Sequence, residues 1–411
     1  MNKLVVITGV GLISRLGDSS ALLHRDLCAG SNRLDEITEY ETHGFGSQPG
    51  GSISAFAPET YLSGRALRPL DRTGRLFASA AKLALESSGW SAGYLATNDV
   101  GVVLGTMFGS MHTISQFDRQ ALIDGPSCVS PMDFSNTVIN SAAAQTAIWH
   151  KLRGINSTIA SGATSGLMAI GYAADLIQSG RQSAVLAGGA DEFCFESFCG
   201  MARAGLLRGS SSQRGCAVPF DERRTGMTLS EAGALLALED WESAKARGAN
   251  VLGEIRGHAN AYNPAGNQNG RGPDAIIRAM QGALESARMS TGDIDCISAA
   301  ANGSPVDDKN EAMAIHAVFN SHANSVPLTA IKSVLGETLG AAGALQAIDF
   351  VESMRTSLLP GIAGLGEVDE EAASLNLCRQ PTLLNVRSAL INSVGFDGHA
   401  CSLIITAPPQ G

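Results

Sequence analysis

The chain is expected to fold as an α/β protein whose sheets are covered by helices on both faces and whose plan is used twice. Three observations carry this. Strand-like apolar runs alternate with stretches of helical spacing from one end to the other. Glycine is abundant, 47 of 411 residues, as close-packed layers with tight strand–helix turns require. "DVGVVLGTM" from Asp99 also has a loose counterpart in "IDCISAAANG" from Ile294, and the break between the copies falls near residue 250, in "AKARGANV". The halves are therefore taken as 1–250 and 251–411.

In order, "LVVITGV" reads as a first strand, and Gly9 and Gly11 punctuate it as structure rather than as a signal peptide. "RLFASAAKLALESSGW", ending at Trp90, is helical, with a glycine after its last turn. "DVGVVLGTM" is a buried strand. "NSTIA" leads through the turn Ala160-Ser161-Gly162-Ala163-Thr164 into a helix over 164–179 that stops at Gly180. This is how an α/β enzyme presents a nucleophile, yet a glycine stands at the tip. "SAVLAGGADE" follows as a strand, then "SEAGALLALEDWESAKARG" and the strand "VLGEIRGHANAY". The second half brings helices at "DAIIRAMQGALESA", "KNEAMAIHAVF" and "GAAGALQAIDFVESM", and closes on the strands "LLNVRSALINSVGF" and "HACSLIITA".

A net charge of −10 with no long basic run argues against nucleic acid as a partner. No window of about 18 apolar residues is present, so no membrane span is expected. Cysteines 28, 128, 194, 199, 216, 296, 378 and 401 are scattered without metal spacing, so neither a metal nor a cofactor is expected, and reduced thiols in the cytoplasm are.

Five segments in order resemble the β-ketoacyl-acyl carrier protein synthases of the thiolase fold: "VVITGVGLIS", "GATSGLMAIGYAADLIQSGRQSAVLAGGADE", "VPFDERRTGMTLSEAGALLALEDWESAKARGA", "IKSVLGETLGAAGALQAI" and "NSVGFDGHACSLI". The resemblance spans nearly the whole chain. It implies a five-layered αβαβα fold of two duplicated halves, normally dimeric. It also implies a nucleophilic cysteine and two histidines, for acyl transfer and for holding an enolate. The cysteine position is Gly162. The first histidine position, in "AANGSPVDDKNE", is Asn302, and the second, four residues after Lys332-Ser333, is Glu337. All three are replaced, and a carboxylate at 337 is expected to repel a malonyl group. Ser161 and Thr164 are read as caps of the following helix.

The surroundings depart from the family as well. Five residues separate Asn302 from Asp308 where the family has seven, which leaves Ser304 as the one donor for a pantetheine amide. Val394, in the gating loop that also holds Phe396, and Met227 replace family phenylalanines. Asp308, Lys309 and Glu311 are kept, and a Lys–carboxylate pair there is expected to hold the halves together. The class within the family that this pattern resembles is the chain length factor, the silent partner of an active ketosynthase in a type II polyketide synthase. The resemblance implies a heterodimer or heterotetramer in which this chain closes the tunnel for the growing aromatic or polyene polyketide. An acyl carrier protein would dock mainly on the partner, unless a patch such as Arg203, Arg208 and Arg214 draws it. Tunnel candidates are Met107, Phe108, Met111, Phe117 and Phe134, with Met107 and Met111 on one face if the segment is helical. Small residues from Asn140 to Gln145 suit a close helix approach across the dimer. The alternatives are an altered-chemistry acyltransferase or hydrolase using Ser161 or Thr164, and a homodimeric acyl-binding scaffold.

Overall fold

The computed structural model describes residues 3–31, 34–38, 40, 49–209, 217–264 and 272–409, with residues 65 and 66 as backbone only; Arg214 and Cys216 lie outside the described residues. Among the described residues the main sheet takes five strands from the first half: β1 (Val5–Ser14), β2 (Gly101–Gly105), β3 (Asn156–Ile159), β4 (Ala184–Asp191) and β5 (Ala232–Asp240). Six belong to the second: β6 (Gly253–Tyr262), β7 (Cys296–Ser298), β8 (Pro327–Thr329), β9 (Asn376–Leu377), β10 (Ser388–Val394) and β11 (His399–Thr406).

They form one hydrogen-bonded ladder in the order β9-β8-β7-β10-β11-β6-β1-β5-β4-β2-β3. From the outside inwards the first half runs third, second, fourth, fifth, first strand. With the short β9 set aside, the second half runs the same way. Strand directions repeat too: the outer three are parallel and the inner two antiparallel in each half. The first strands of the copies meet, Val5 opposite Ile255 and Ile7 opposite Gly253.

The helices that matter are α1 (Ser20–Cys28), α2 (Arg72–Ser88), α3 (Met111–Asp124), α4 (Ser141–His150), α5 (Ser165–Gln178), α6 (Asp274–Ala287), α7 (Pro305–Phe319) and α8 (Ala342–Thr356). α5 and α8 pack on each other and on strands of both halves, which makes them the middle layer. Leu167, Ile170, Ala173, Ala174 and Ile177 of α5 are all fully buried, as a helix between two sheets must be. α2 and α4 cover the outer face of the first half, and α6, with α7 packed on it, covers that of the second. Together this is the five-layered αβαβα arrangement of two similar halves. α2 shows how the sequence writes it. Asp71 caps its start by accepting from the Gly74 N–H at 2.8 Å, and Gly89 ends it at φ 71°. α2 presses so close to β1 that a Cβ on Gly11 would sit 2.1 Å from the Ala80 carbonyl oxygen.

Candidate functional site

After β3 the chain turns sharply into α5. Gly162 at the tip has φ +60°, the left-handed region where glycine is favoured. Hydroxyls tie the turn: Ser165 Oγ accepts from the Ser161 N–H at 2.8 Å and donates to the Gly162 carbonyl at 2.6 Å. Thr164 is the residue before α5, but its hydroxyl donates to the Ser161 carbonyl at 2.6 Å and makes no cap bond. The capping expected of it is therefore replaced by this internal turn bond.

The space above Gly162 is filled. A Cβ there would meet Asp397 Oδ2 at 2.5 Å and its Cγ at 3.0 Å. Asp397 comes from the loop between β10 and β11. Its Oδ1 accepts from the His399 N–H at 3.2 Å, and its Oδ2 lies 3.1 Å from His399 Nδ1. The His399 ring packs on Tyr262, with centroids 4.6 Å apart. An anionic side chain thus stands where a nucleophile's side chain would project, near the N-terminal end of α5 that favours negative charge.

The two other substituted positions have joined each other. Asn302 Nδ2 donates to Glu337 Oε2 at 2.9 Å, and Lys332 Nζ donates to the same oxygen at 2.8 Å. Glu337 Oε1 accepts from the Leu339 N–H at 2.9 Å, and Lys332 also donates to the Ala300 carbonyl at 2.8 Å. Glu337 is 1 % exposed and Lys332 3 %, so the pair is interior and its charges cancel. The expected repulsion of a malonyl anion is therefore corrected: Lys332 neutralises Glu337, and the Asn302 amide is spent on the carboxylate. The Glu337 backbone is pinned to the first half as well, its N–H on the Thr228 carbonyl at 2.8 Å.

Asp308 is fully buried and accepts from the N–H groups of Asn302 at 3.0 Å and Phe220 at 3.0 Å, with Arg224 Nε 3.6 Å away. Burial pushes its carboxyl up to about 7 against the pull of the Phe220 N–H and Arg224. Glu311 accepts from the Ala300 N–H and Asn392 Nδ2, each at 2.9 Å, and burial raises it too. Lys309 pairs with neither: it is half-exposed and meets Glu371 within its own half. Asp308 links the halves through Phe220 and Arg224, beside bonds such as the Gly226 N–H on the Gly303 carbonyl at 3.0 Å, whereas Lys309 points outwards from α7. Ser304 caps α7, its hydroxyl donating to Asp307 Oδ2 at 2.8 Å and accepting from the Asp307 N–H. Val394 packs into the second half's core, and Phe396 against the cluster of Phe193, Phe198, Met201, Met227, Leu229 and Leu339.

Met107 and Phe108 pack against that same cluster. Their N–H groups bond Asp191, whose carboxyl burial raises to about 6. They lie in a turn before α3, so Met107 and Met111 share no helical face. Met111 opens α3, a helix in which no residue is buried. Phe117 of α3 meets Phe134 at 6.0 Å between centroids, and Phe134 is 62 % exposed. Leu122, Ile123, Met132, Val138, Ile139 and Ile148 are exposed along the same stretch. The small residues Ser141, Ala142 and Ala143 are buried in α4, which lies against α2, so their close approach is made within the chain. Sequence reasoning passed over Asp397, Lys332 and Asp191; the charge of Asp397 within a glycine-rich loop was the available signal.

Among the described residues no group of His, Cys, Asp and Glu could hold a metal ion, and no helix is long and apolar enough to cross a membrane. Around Gly162 stand the hydroxyls of Ser161, Thr164 and Ser165 and the Asp397–His399 pair, and a glycine holds the tip itself. The chain belongs to the β-ketoacyl synthase family: residues 2–244 match the model of its N-terminal domain and residues 252–365 that of its C-terminal domain. It is 30 % identical over 411 residues to 3-oxoacyl-[acyl-carrier-protein] synthase 2 of Vibrio cholerae, covering 97 % of this chain and 98 % of that one. It is 28 % identical over 408 residues to the Staphylococcus aureus protein of that name, covering 98 % of each. Among solved structures it is similar to the ishigamide ketosynthase/chain length factor, with TM-score 0.92, 28 % identity and full coverage of both chains. It is also similar to a beta-ketoacyl synthase from Burkholderia phymatum, with TM-score 0.91, 27 % identity and 99 % of this chain covered.

Proposed function

We propose that this chain is a non-catalytic chain length factor, which pairs with an active ketosynthase and shapes the tunnel for a polyketide elongated on an acyl carrier protein. One observation carries the reading. All three positions where the family's chemistry is expected are committed elsewhere: Asn302 and Glu337 to each other and Lys332, and the space over Gly162 to Asp397. A site that had merely lost a nucleophile would leave room for one. Here the replacements are satisfied, buried and mutually bonded, which is what selection for structure without turnover would keep.

The surface supports a partner. β3 is the last strand of the ladder and carries no strand beyond it among the described residues. α4 packs on β3, and the nearby stretch exposes Phe134, Val138, Ile139 and Ile148. An open strand edge with an apolar flank is what a monomer avoids and an obligate pair covers. The described chain-length candidates fall into two groups. Met107 and Phe108 pack against the interior cluster that holds Leu339, whereas Met111, Phe117 and Phe134 lie along an exposed stretch that a partner would cover. The likeness to a ketosynthase/chain length factor supports the pairing. Carrier docking belongs mainly to the partner subunit in this reading. The alternative of hydroxyl chemistry at Thr164 is disfavoured by its bond to the Ser161 carbonyl.

The test is co-expression with a homologue that has an intact Cys-His-His set. A 1:1 complex that makes polyketide, and an isolated chain that makes none, support the reading. Product length that stays fixed when Met111→Ala and Phe134→Ala are placed in that complex removes the tunnel role from this segment.

A further inference from the structure

We propose that the groove between α2 and the end of α4 is a second binding site, and that it takes a small aromatic carboxylate, with the ring on its apolar floor and the carboxylate on Lys151. The groove shares no residue with the Gly162 turn or the Glu337 cluster, and it does not depend on how they are read.

The groove has a volume of ≈ 910 Å³. Small-molecule sites run from about 300 to about 1,000 Å³. Separate elements wall it. α2 gives Lys82, Leu85 and Glu86. The turn after α2 and the short helix Ala92–Thr97 give Trp90 and Leu95. The end of α4 and the turn after it give Trp149, Lys151 and Arg153. Tyr61 lines it as well.

The walls are held by bonds that lead away from the groove. Trp90 is 3 % exposed and stacks on Tyr94 with centroids 5.7 Å apart, and its Nε1–H donates to Glu239 Oε2 at 3.4 Å. The Tyr61 hydroxyl donates to Asp18 Oδ2 at 2.8 Å. His150, the last residue of α4, donates from Nε2 to the Ala78 carbonyl of α2 at 2.9 Å and so ties the two sides together. A surface fixed in advance loses little side-chain freedom when a ligand settles on it. Tyr61, Trp90 and Trp149 offer aromatic surface, which a flat ring packs against face or edge on.

Charge decides the class of ligand. The lining has three cations, Lys82, Lys151 and Arg153, and one carboxylate, Glu86. Glu86 is spent on Lys82 one turn away. Arg153 is engaged too, its Nε 3.3 Å from Asp99 Oδ1 and its Nη2 donating to the Ala96 carbonyl at 3.0 Å. Burial holds the His150 imidazole below its usual range, so that ring adds no charge. Lys151 is exposed, and its ammonium has no partner among the described residues. It also stands at φ 57°, in the left-handed region. Glycine or asparagine would fit that backbone with less strain, so what the lysine adds there is its ammonium. An anionic group beside the apolar floor meets this charge through a charge-assisted hydrogen bond, which a neutral ligand cannot supply.

The test is isothermal titration calorimetry of the full chain at pH 7 and low salt, with 2-naphthoate against 2-naphthalenemethanol. The acid is expected to bind at about 1 mM or tighter, and at least about tenfold tighter than the alcohol. Lys151→Asn, which suits the left-handed backbone, should remove most of that preference. Ala92→Glu sets a carboxylate beside the groove at the exposed start of the short helix. It should weaken the acid at least about tenfold and change the alcohol by less than about twofold. Both variants should melt within about 1 °C of the parent, since both positions are exposed. No binding of the acid, equal binding of acid and alcohol, or an acid affinity that neither variant moves would overturn the proposal. Loss of acid binding once a partner subunit is bound would also overturn it, by giving the groove to the subunit interface.

Discussion

Placing a histidine at position 337, where the resemblance to the ketosynthases implies one, should damage this protein rather than repair it. Glu337→His removes the carboxylate that holds Lys332 at 2.8 Å in a site where both side chains are 3 % exposed or less. Lys332 keeps only the Ala300 carbonyl, and the Leu339 N–H and the Asn302 amide lose their acceptor. Breaking a buried pair by removing one partner costs about 3–5 kcal/mol, because the other charge is left uncompensated. Unfolding entropy of about 2.1 cal/mol/K per residue converts this to a melting point roughly 3–6 °C lower for a chain of 411 residues. Differential scanning calorimetry at pH 7 measures it. Adding Lys332→Met to Glu337→His removes the stranded ammonium and should recover at least about half of the loss. A Glu337→His protein that melts within about 1 °C of the parent, or a double variant no better than the single, would refute the idea that this position has become structural.

Three further outcomes follow from the same geometry. Gly162→Cys alone should resist iodoacetamide, whereas Gly162→Cys/Asp397→Gly should alkylate at least about tenfold faster in peptide-mapped kinetics, because Asp397 fills the space a side chain needs. Glu192 caps α3 by accepting from the His112 N–H at 2.9 Å, and burial, then the neighbouring Asp71 and Glu231 charges, push it up to about 8. Its folded value lies above the unfolded one, so its contribution is full below about 4.5 and is lost as pH rises through about 8; Glu192→Gln should remove that part of the fall in melting temperature between pH 6 and 9, seen by thermal melts across the series. Phe134→Asp should leave the isolated chain's melting point within about 1 °C, since the ring is 62 % exposed, but should lower the yield of the two-subunit complex in gel filtration.

Much of this was legible in the sequence, for identifiable reasons. β1, α2 and α5 announce themselves through short-range pattern: a β-branched run, helical spacing, a glycine after the last turn. The three altered positions were legible because each sits in a motif with fixed neighbours. What lay beyond reach was which distant side chains would meet. Asn302 and Glu337 are 35 residues apart, and nothing local says that one amide will donate to that carboxylate. Asp397 belongs to another loop altogether, and only the fold brings it over Gly162. Lys309 looked like a strut because it stands beside Asp308 and Glu311, but α7 turns Asp308 and Glu311 inwards and Lys309 outwards to Glu371. Met107 looked helical from its spacing to Met111; Asp191 instead holds Met107 and Phe108 in a turn through their N–H groups.

The central claim is that the acyl chemistry belongs to another subunit. Intact-mass analysis of the reconstituted complex, sampled during turnover with an acylated carrier protein, tests it most directly. The account predicts acyl and polyketide adducts on the ketosynthase subunit and an unshifted mass for this chain. An adduct on this chain that disappears with Ser161→Ala or Thr164→Ala would contradict it.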